Sequence, residues 1–558
     1  MDGLVTAVAA IQSYVPQAVV GVLGTDPAAT VHLTDDAVLI GSCDTCLALR
    51  RERLQPAPLR LAADAASWTP GPWPHLTPAV LELIRHLHAV VAAGTVFRLA
   101  WETLDIQRHE LLPDPSCPAC GTPAPADPIR FVPRPKPSMS ASRLRDLDAV
   151  HLPERALVNP VCGALGPAAV ALTDAPIVPV VVGGTLAGSG SGANRVIPVM
   201  WSGHARSYGR SRTAALLEGL ERTAAAWHTG TAPVVVDTFE RVAARAVPGD
   251  WPSFDPRSPI RWVPGHSLRH DAPVLVPERM AYFLAGPRET SNGCAIGTCL
   301  EEAALHGLLE LIERDAFLIA WYGRAHLPEL APGTVTDPAV GALIDRLAAG
   351  GHQVRLFDTR IDLPAPVVTA VAVATGGAAP ALCFAAAAGL DPDSAVAGAV
   401  GELAALVPAV RERALAQRGR IDAMRRDHGL VESAADHAAL FADPAAMAYA
   451  GFLLGDRHEV PGAPRPWPRP SDMDLLEDLQ ACAGAVMETG SDVIVVDLTT
   501  VEQRRLGLRS ARVIAPGLVP LDFGPRQRAP GLTRISTALR HAAAPPSEGP
   551  HHVPHPLS

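Results

Sequence analysis

Two short strings in this 558-residue chain repeat one arrangement of acids and a base. Residues 216–224 read LLEGLERTA and residues 308–316 read LLELIERDA, so Glu218, Glu221 and Arg222 are echoed by Glu310, Glu313 and Arg314. At 100° per residue, Glu218 and Glu221 lie roughly 60° apart on a helix. Glu302, Glu310 and Glu313 fall within roughly 80° of one another, and His306 shares their face. A solvated face with local Glu–Arg pairs is the ordinary explanation of one such helix. It fits a pair poorly, because the flanking positions (Leu216, Leu217, Leu220; Leu308, Leu309, Ile312) are apolar. Facing each other, the helices would gather four or five carboxylates round one volume. Carboxylates so packed repel unless hard cations neutralise them. Mg²⁺ is the usual partner and keeps positions open for phosphate oxygens. The chemistry implied is a nucleotide-phosphate site.

Lys136 is the only lysine, and it sits in Pro135-Lys136-Pro137. That excludes a Walker A loop and the kinase strand lysine, and leaves a Schiff-base enzyme no lysine on a helix or strand. A nucleotide site here must rely on arginine, backbone and metal. Ser291-Asn292-Gly293-Cys294-Ala295-Ile296-Gly297-Thr298 leads into the second acidic helix, and such a turn can bring backbone N–H groups to an anion. Net charge is −10 with a sequence pI near 6.0, which argues against nucleic acid as a partner.

The second constellation is sulfur. Cys43-x-x-Cys46 and Cys117-x-x-Cys120 are matched pairs, and four thiolates in two knuckles suit a closed tetrahedral Zn²⁺ site. A redox motif would want a strand–helix setting. Cys117 instead follows Pro113-Asp114-Pro115, and Cys120 precedes Gly121. Cys162, Cys294, Cys299, Cys383 and Cys482 read as buried thiols. His541, His551, His552 and His555 could bind metal weakly but read as polar residues of a tail. Nine cysteines without a disulfide pattern point to the reducing cytoplasm. The N-terminus has no basic n-region, and the uncharged stretch from Leu363 to Leu390 reads as buried sheet rather than a membrane span.

These residues need elements to hold them. Hydrophobic residues make up 48% of the chain, enough for a sizeable core. The texture is mixed α/β. Residues 1–120 form a first unit, with a helix-like stretch at Leu81–Val91. Residues 121–137 read as a Pro-rich linker. Residues 138–540 alternate strands, such as Ile177–Val182 and Asp492–Asp497, with helices over 211–228, 299–322 and 394–417. Asp492–Asp497 is apolar throughout its interior, as in a sheet covered on both faces. Gly188–Gly192 reads as a flexible hairpin loop, Pro461–Pro470 as a loop, and 541–558 as an extended tail.

The string SNGCAIGTCLEEAALHGLLELIERDA, residues 291–316, resembles the signature of the YcaO family. Ser202-Gly203-His204 before the Glu218/Glu221 helix resembles the family's first nucleotide motif. Asp497-Leu498-Thr499-Thr500, Pro516-Gly517-Leu518 and Phe523-Gly524 resemble its C-terminal part. Val553-Pro554-His555-Pro556-Leu557-Ser558 is similar to the Pro-rich end of azoline-forming members. The resemblance covers roughly residues 138–558. It implies a YcaO-type ATP-binding domain, here preceded by a small zinc-bearing E1-like segment. It further implies an ATP-dependent cyclodehydratase that phosphorylates a backbone amide oxygen of a ribosomal precursor peptide and converts Cys, Ser or Thr to thiazoline or oxazoline. Glu218, Glu221, Glu310 and Glu313 would hold Mg²⁺. Glu302 and Arg314 would contact nucleotide or metal, with Ser207 and His204 on the phosphate side, and Pro554 and Pro556 would bring a stiff tail to the active site. Implied partners are a separate leader-peptide-binding E1-like protein and a flavin azoline dehydrogenase, and a homodimer is allowed.

Four departures from the family pattern keep alternatives open. His204 stands where many members have Lys, Thr298 where Asn is common, Ala214 where Ser is common, and a third terminal proline is missing. A YcaO enzyme forming a thioamide or amidine is one alternative, and a catalytically weak docking scaffold of a peptide-maturation complex is another.

Overall fold

The computed structural model describes residues 11, 13, 20–22, 31–34, 36–54, 76–121, 128–174, 177–188, 196–228, 234–243, 245–246, 255–285, 290–455, 467, 473–524, 533–541 and 551–558. The Pro461–Pro470 loop (Trp467 aside), the Gly/Ser run after Gly188, and tail residues 542–550 lie outside them. The fold is mixed α/β, as the sequence texture suggests.

The N-terminal unit is a five-stranded sheet in sequential order: β1 (Val20–Val22), β2 (Val31–Leu33), β3 (Ala37–Gly41), β4 (Thr95–Ala100) and β5 (Ile106–Glu110). Helix α1 (Asp44–Leu54) follows β3. Helix α2 (Pro78–Val90) starts three residues before the apolar stretch read from sequence. Thr77 caps it by accepting from the Val80 N–H, and Pro78 occupies its first turn. Its buried stripe, Val80, Leu81, Ile84 and Leu87, has helical spacing and packs against Val31, Leu33, Val38 and Ile40.

Three further sheets follow. The first is an antiparallel set of β6 (Ala169–Leu172), β7 (Val180–Gly188) and β8 (Val196–His204), with α3 (Tyr208–Ala226) packed on it. The sequence reading began β7 at Ile177. Pairing with β8 starts at Val180, while Ile177 and Val178 are buried in the main core. The second sheet begins with β9 (Val235–Asp237), β10 (Ile260–Ser267), β11 (Ala272–Pro277) and β12 (Cys294–Gly297), which leads into α4 (Leu300–Tyr322). The chain then forms a three-stranded antiparallel sheet of β13 (His352–Asp358), β14 (Val367–Ala374) and β15 (Leu382–Ala388), of which β14 and β15 fall within the stretch read as buried sheet. Helix α5 (Pro392–Ala416) covers it with Ala399, Val400, Leu403 and Val407 in the largest core. This helix is apolar and long enough to cross a membrane by length and composition, yet half of its most apolar window is buried in the fold.

Helix α6 (Leu475–Glu488) precedes β16 (Ile494–Asp497). Helix α7 (Val501–Arg505) and β17 (Arg509–Ile514) follow, and β16 and β17 close the second sheet in the order β11-β10-β16-β17-β12. Both faces are covered. Val495 and Val513 pack against α4, whereas Ile494, Val496 and Ile514 pack with Ala224 and Ala225 at the end of α3. The strands run antiparallel, so double coverage here does not signal a parallel sheet. The two acidic helices thus share one sheet as their platform.

Residues 128–137 of the Pro-rich segment are bound chain. Val132 N–H donates to Glu301 at 2.8 Å, Arg134 pairs with Glu301 at 3.1 Å, and Lys136 N–H donates to the Met473 carbonyl at 2.8 Å. The lone lysine is buried, pairs with Asp478 and donates to the Met139 carbonyl, which is a structural role. Helix α8 (Thr533–His541) leads to the final segment, 551–558, which enters the core: His551, His555 and Leu557 are buried.

Candidate active site

Helix α3 is delivered by the Ser202-Gly203-His204 end of β8. A Cβ on Gly203 would stand 2.3 Å from the Ser211 carbonyl oxygen, so only glycine allows the strand to approach the helix this closely. Ser207 is the N-cap of α3 and its hydroxyl accepts from the Arg210 N–H at 3.3 Å. Three turns on, Glu218 accepts from the Ser202 N–H at 3.0 Å and lies 2.7 Å from Arg222. Helix α4 is capped by Cys299, whose sulfur accepts from the Glu302 N–H. Gly293 has φ +85°, and its N–H donates to Glu310 at 3.1 Å. Glu313 accepts from the Ala388 N–H at 3.1 Å, which ties α4 to β15.

The electrostatics show that these carboxylates share one volume. Burial first, and then the Glu310 and Glu218 charges, push the Glu221 carboxyl well above its usual range. Glu310 is raised by burial against the opposing Arg314. Glu313 is pushed up to about 8 by burial, with Arg314 opposing and Glu402 and Glu310 adding to the rise. Glu402, on α5, is raised by burial and by Glu218, again against Arg314. Glu218, Glu221, Glu310 and Glu313 are therefore brought together as the echo implies, and a fifth carboxylate joins from a third helix. Sequence reading missed Glu402. Its signal was present, since it is the only charged residue between Asp393 and Arg411.

Arg314 is the cation among them. Burial works against its charge, and the Glu313, Glu402 and Glu310 carboxylates more than offset that. Its Nη1 comes within 2.9 Å of a Glu313 oxygen without hydrogen-bond alignment, and its buried Nε has no hydrogen-bond partner among the described residues. A clustered set of carboxylates beside an underused guanidinium fits hard cations together with an anionic ligand. His204 ends β8, and a Cβ on Gly401 of α5 would stand 3.5 Å from its Nε2. Burial lowers its pKa although Glu218 pulls the other way, so His204 is not a fixed cation in Lys's place.

Beside the cluster lies a cleft of about 590 Å³. Ala214, Leu217 and Ile296 give it an apolar wall, Arg143 and Arg210 bring cations, and Glu218 and Glu221 border it. Glu302 faces this side rather than the cluster. It is buried, pairs with Arg143 at 3.1 Å, and accepts from the Thr298 hydroxyl at 2.7 Å and the Thr298 N–H at 3.2 Å. It reaches the cleft through Arg143. His306 meets the Ser142 carbonyl at 3.0 Å, and burial lowers its pKa to about 3, so it is a neutral donor. Arg143 and Arg512 were also missed. Nothing marks Arg143 locally, whereas Arg512 is a charge inside the buried strand β17 and acts on Glu310.

The C-terminal segment ends in the same region. The His551 N–H donates to the Tyr322 carbonyl at 2.8 Å, and the Trp321 indole N–H donates to the Val553 carbonyl at 3.0 Å. His437 donates from Nδ1 to the His555 carbonyl at 2.7 Å and accepts from the Gly524 N–H at 3.3 Å. His555 donates from Nε2 to the Asp522 carbonyl at 2.9 Å. Pro554 and Pro556 are buried on either side of His555, which feels the Arg314 charge. His555 is thus an anchor bound through its ring to a backbone carbonyl, and His551 is buried with its ring accepting from Arg324 at 3.4 Å, so these two are not loose polar residues.

The four N-terminal cysteine sulfurs lie within 4.8 Å of one another. The Asp114 N–H donates to Cys46 Sγ at 3.2 Å, and the Cys120 N–H to Cys117 Sγ at 3.4 Å. Backbone donors aimed at sulfur suit thiolates, and the set fits a closed tetrahedral metal site. The other five cysteines are buried.

A cation-demanding cluster carried on helices, next to an arginine-bearing cleft and without a phosphate-binding lysine loop, defines a class of nucleotide-phosphate site distinct from the P-loop. The profile of the family described as YcaO cyclodehydratase, ATP- and Mg²⁺-binding, matches residues 202–519, more than half of the chain. The chain belongs to the YcaO family. An uncharacterized protein of Methanothermobacter thermautotrophicus is 28% identical over 347 residues, covering 59% of this chain and 84% of that protein. Among solved structures, a heterocyclase in complex with substrate and cofactor superimposes with a TM-score of 0.73 at 21% identity, covering 94% of this chain and 77% of that one. The heterocyclase TruD does so with a TM-score of 0.60 at 20% identity, covering 94% and 75%.

Proposed function

We propose that this YcaO protein is an ATP-dependent peptide cyclodehydratase that converts Cys, Ser or Thr of a ribosomal precursor peptide to thiazoline or oxazoline. The observation that carries the reading is the meeting of five carboxylates, Arg314 and the buried C-terminal segment in one region. The likeness in fold to two heterocyclases supports it.

In this reading Glu218, Glu221, Glu310 and Glu313 hold Mg²⁺, and Glu402 adds charge at the rim. Mg²⁺ held there would neutralise the triphosphate oxygens and the charge that develops on them during transfer. Arg314 offers its free N–H groups to the transferring phosphoryl group. Arg143, oriented by Glu302, and Arg210 steady the nucleotide in the cleft, and Ser207 and His204 stand at its phosphate end. The substrate's own thiol or hydroxyl gives its proton to solvent as it attacks the preceding carbonyl carbon. The resulting oxyanion takes the γ-phosphoryl group and releases ADP. The ring nitrogen then loses its proton as phosphate leaves, giving the C=N bond. No protein nucleophile is required; the chain positions reactants and stabilises charge. Pro554 and Pro556 hold the peptide side of the site at low entropic cost. The cysteine knuckles hold Zn²⁺ in an E1-like unit over residues 1–120. A separate E1-like protein binds the leader, a flavin dehydrogenase acts on the azoline, and the complex works in the reducing cytoplasm.

The test is ATP turnover with Mg²⁺, a Cys/Ser/Thr-bearing precursor peptide and a leader-binding E1-like partner, with peptide mass read in parallel. A loss of about 18 Da per modified residue with matched phosphate release is expected. Peptide binding without turnover would move the assignment to the docking scaffold.

A further inference from the structure

The cysteine knuckles and α3 are linked by buried polar contacts that pass through α1 and α7. Arg50 lies in α1, the helix that begins inside the first knuckle, and is 1% exposed. Its guanidinium donates to the Pro113 carbonyl at 2.9 Å, the Ala164 carbonyl at 3.4 Å and Glu502 at 3.1 Å, and lies 3.3 Å from Asp114. Asp114 belongs to the second knuckle. Its N–H donates to Cys46 Sγ, and its carboxylate also accepts from Arg53 at 3.0 Å. Glu502 lies on α7. Its neighbour Gln503 is fully buried and donates from Nε2 to the Leu220 carbonyl at 2.9 Å and to the Ser510 hydroxyl at 2.9 Å. The Gln503 Oε1 accepts from the Thr500 N–H at 3.0 Å, which fixes the amide's orientation. Leu220 lies between Glu218 and Glu221.

A contact needed only for cohesion is better made from apolar side chains, because desolvating ions is costly even when they are paired. What paired, hydrogen-bonded groups add is a fixed distance and direction. In helical geometry the Leu220 carbonyl already accepts from the N–H four residues on. The Gln503 amide is therefore an added, lateral bond that pins α3 to α7, and Arg50 pins α7 to the knuckles.

We infer that Arg50, Glu502 and Gln503 are positioning residues through which the four-cysteine unit holds α3 at the depth where Glu218 and Glu221 meet Glu310. The inference rests on the reading of those glutamates as Mg²⁺–ATP ligands.

The experiment uses the full chain and two variants, Gln503→Leu and the double variant Arg50→Met/Glu502→Leu, which removes both charges and leaves neither unpaired. The readouts are the Mg²⁺ concentration that half-saturates binding of a non-hydrolysable ATP analogue, the thermal midpoint and the zinc content. The expected result is a rise of about tenfold or more in half-saturating Mg²⁺ in both variants. Zinc content should stay at the wild-type value, and because each variant leaves buried polar groups without a partner, nucleotide binding is read well below that variant's own thermal midpoint. If Gln503→Leu does not fold, the double variant decides alone. Wild-type Mg²⁺ dependence in the folded variants would overturn the inference and leave the network merely cohesive. Absence of Mg²⁺-dependent nucleotide binding in the wild-type chain would overturn the ligand reading itself, and the inference with it.

Discussion

Glu313 is held where burial, Glu402 and Glu310 disfavour its charge and Arg314 favours it. Its folded pKa of about 8 exceeds the ordinary 4.5, so the metal-free fold binds the proton more tightly than the unfolded chain. Its contribution to stability is full below 4.5 and is lost as pH rises through about 8. Thermal melts in chelator should therefore show stability falling over that window, and Mg²⁺ should restore it at the alkaline end. A flat profile would contradict the assignment. Glu310→Gln should remove turnover and yet raise the metal-free stability by about 1 kcal/mol, because it relieves like-charge repulsion. The echoed Glu-x-x-Glu-Arg strings made four of these carboxylates legible. Glu402 stood out only as the one charge in the apolar run between Asp393 and Arg411. Arg143 was illegible, because its value comes from Glu302 far along the chain.

At the scale of elements, two anchors hold the chain's end. Arg534 of α8 pairs with Asp315 at 2.6 Å and also with Asp362, and Asp315 is 1% exposed one residue after Arg314. Arg534→Ala would leave Asp315 buried and unpaired, so unfolding by denaturant should show a loss of about 3–5 kcal/mol. A loss under about 1 kcal/mol, the size of a surface pair, would mean the pair is not buried in solution. The His437–His555 anchor is neutral. Burial lowers His437 from 6.5 to about 4, and burial first, with His437 beside it, lowers His555 well below its ordinary range. Depressed histidines favour the docked state above pH 6.5 and lose that contribution as pH falls towards 4. Carboxypeptidase should trim the C-terminus faster at pH 5 than at pH 7.5, relative to a peptide control, and equal rates would contradict the docking. Helices 211–228, 299–322 and 394–417 were readable to within three residues because their apolar spacing is regular and their ends carry caps. The docking of 128–137 and the burial of 551–558 were not readable. Proline-rich chain has no periodicity, and its partners, Glu301, Asp478 and Tyr322, lie far away in sequence.

For the whole molecule, the N-terminal unit and the YcaO domain are one hydrogen-bonded body at Arg50. Cys46→Ser should lower bound zinc and destabilise the five-stranded sheet, read as faster amide exchange in β3 and β4. Exchange unchanged with zinc lost would make the metal incidental to that sheet. The pairing of the knuckles was legible from CxxC spacing, whereas their link to α3 was not, because it passes through single buried side chains of α1 and α7.

The central claim is that glutamates on separate helices hold Mg²⁺ and nucleotide together. Calorimetric titration of a non-hydrolysable ATP analogue tests it most directly, run with and without Mg²⁺ on the wild-type chain and on Glu221→Gln. The account predicts Mg²⁺-dependent binding in the wild type, and its loss in a variant that melts at or above the wild-type temperature. Nucleotide binding that is indifferent to Mg²⁺, or unchanged in Glu221→Gln, would contradict it.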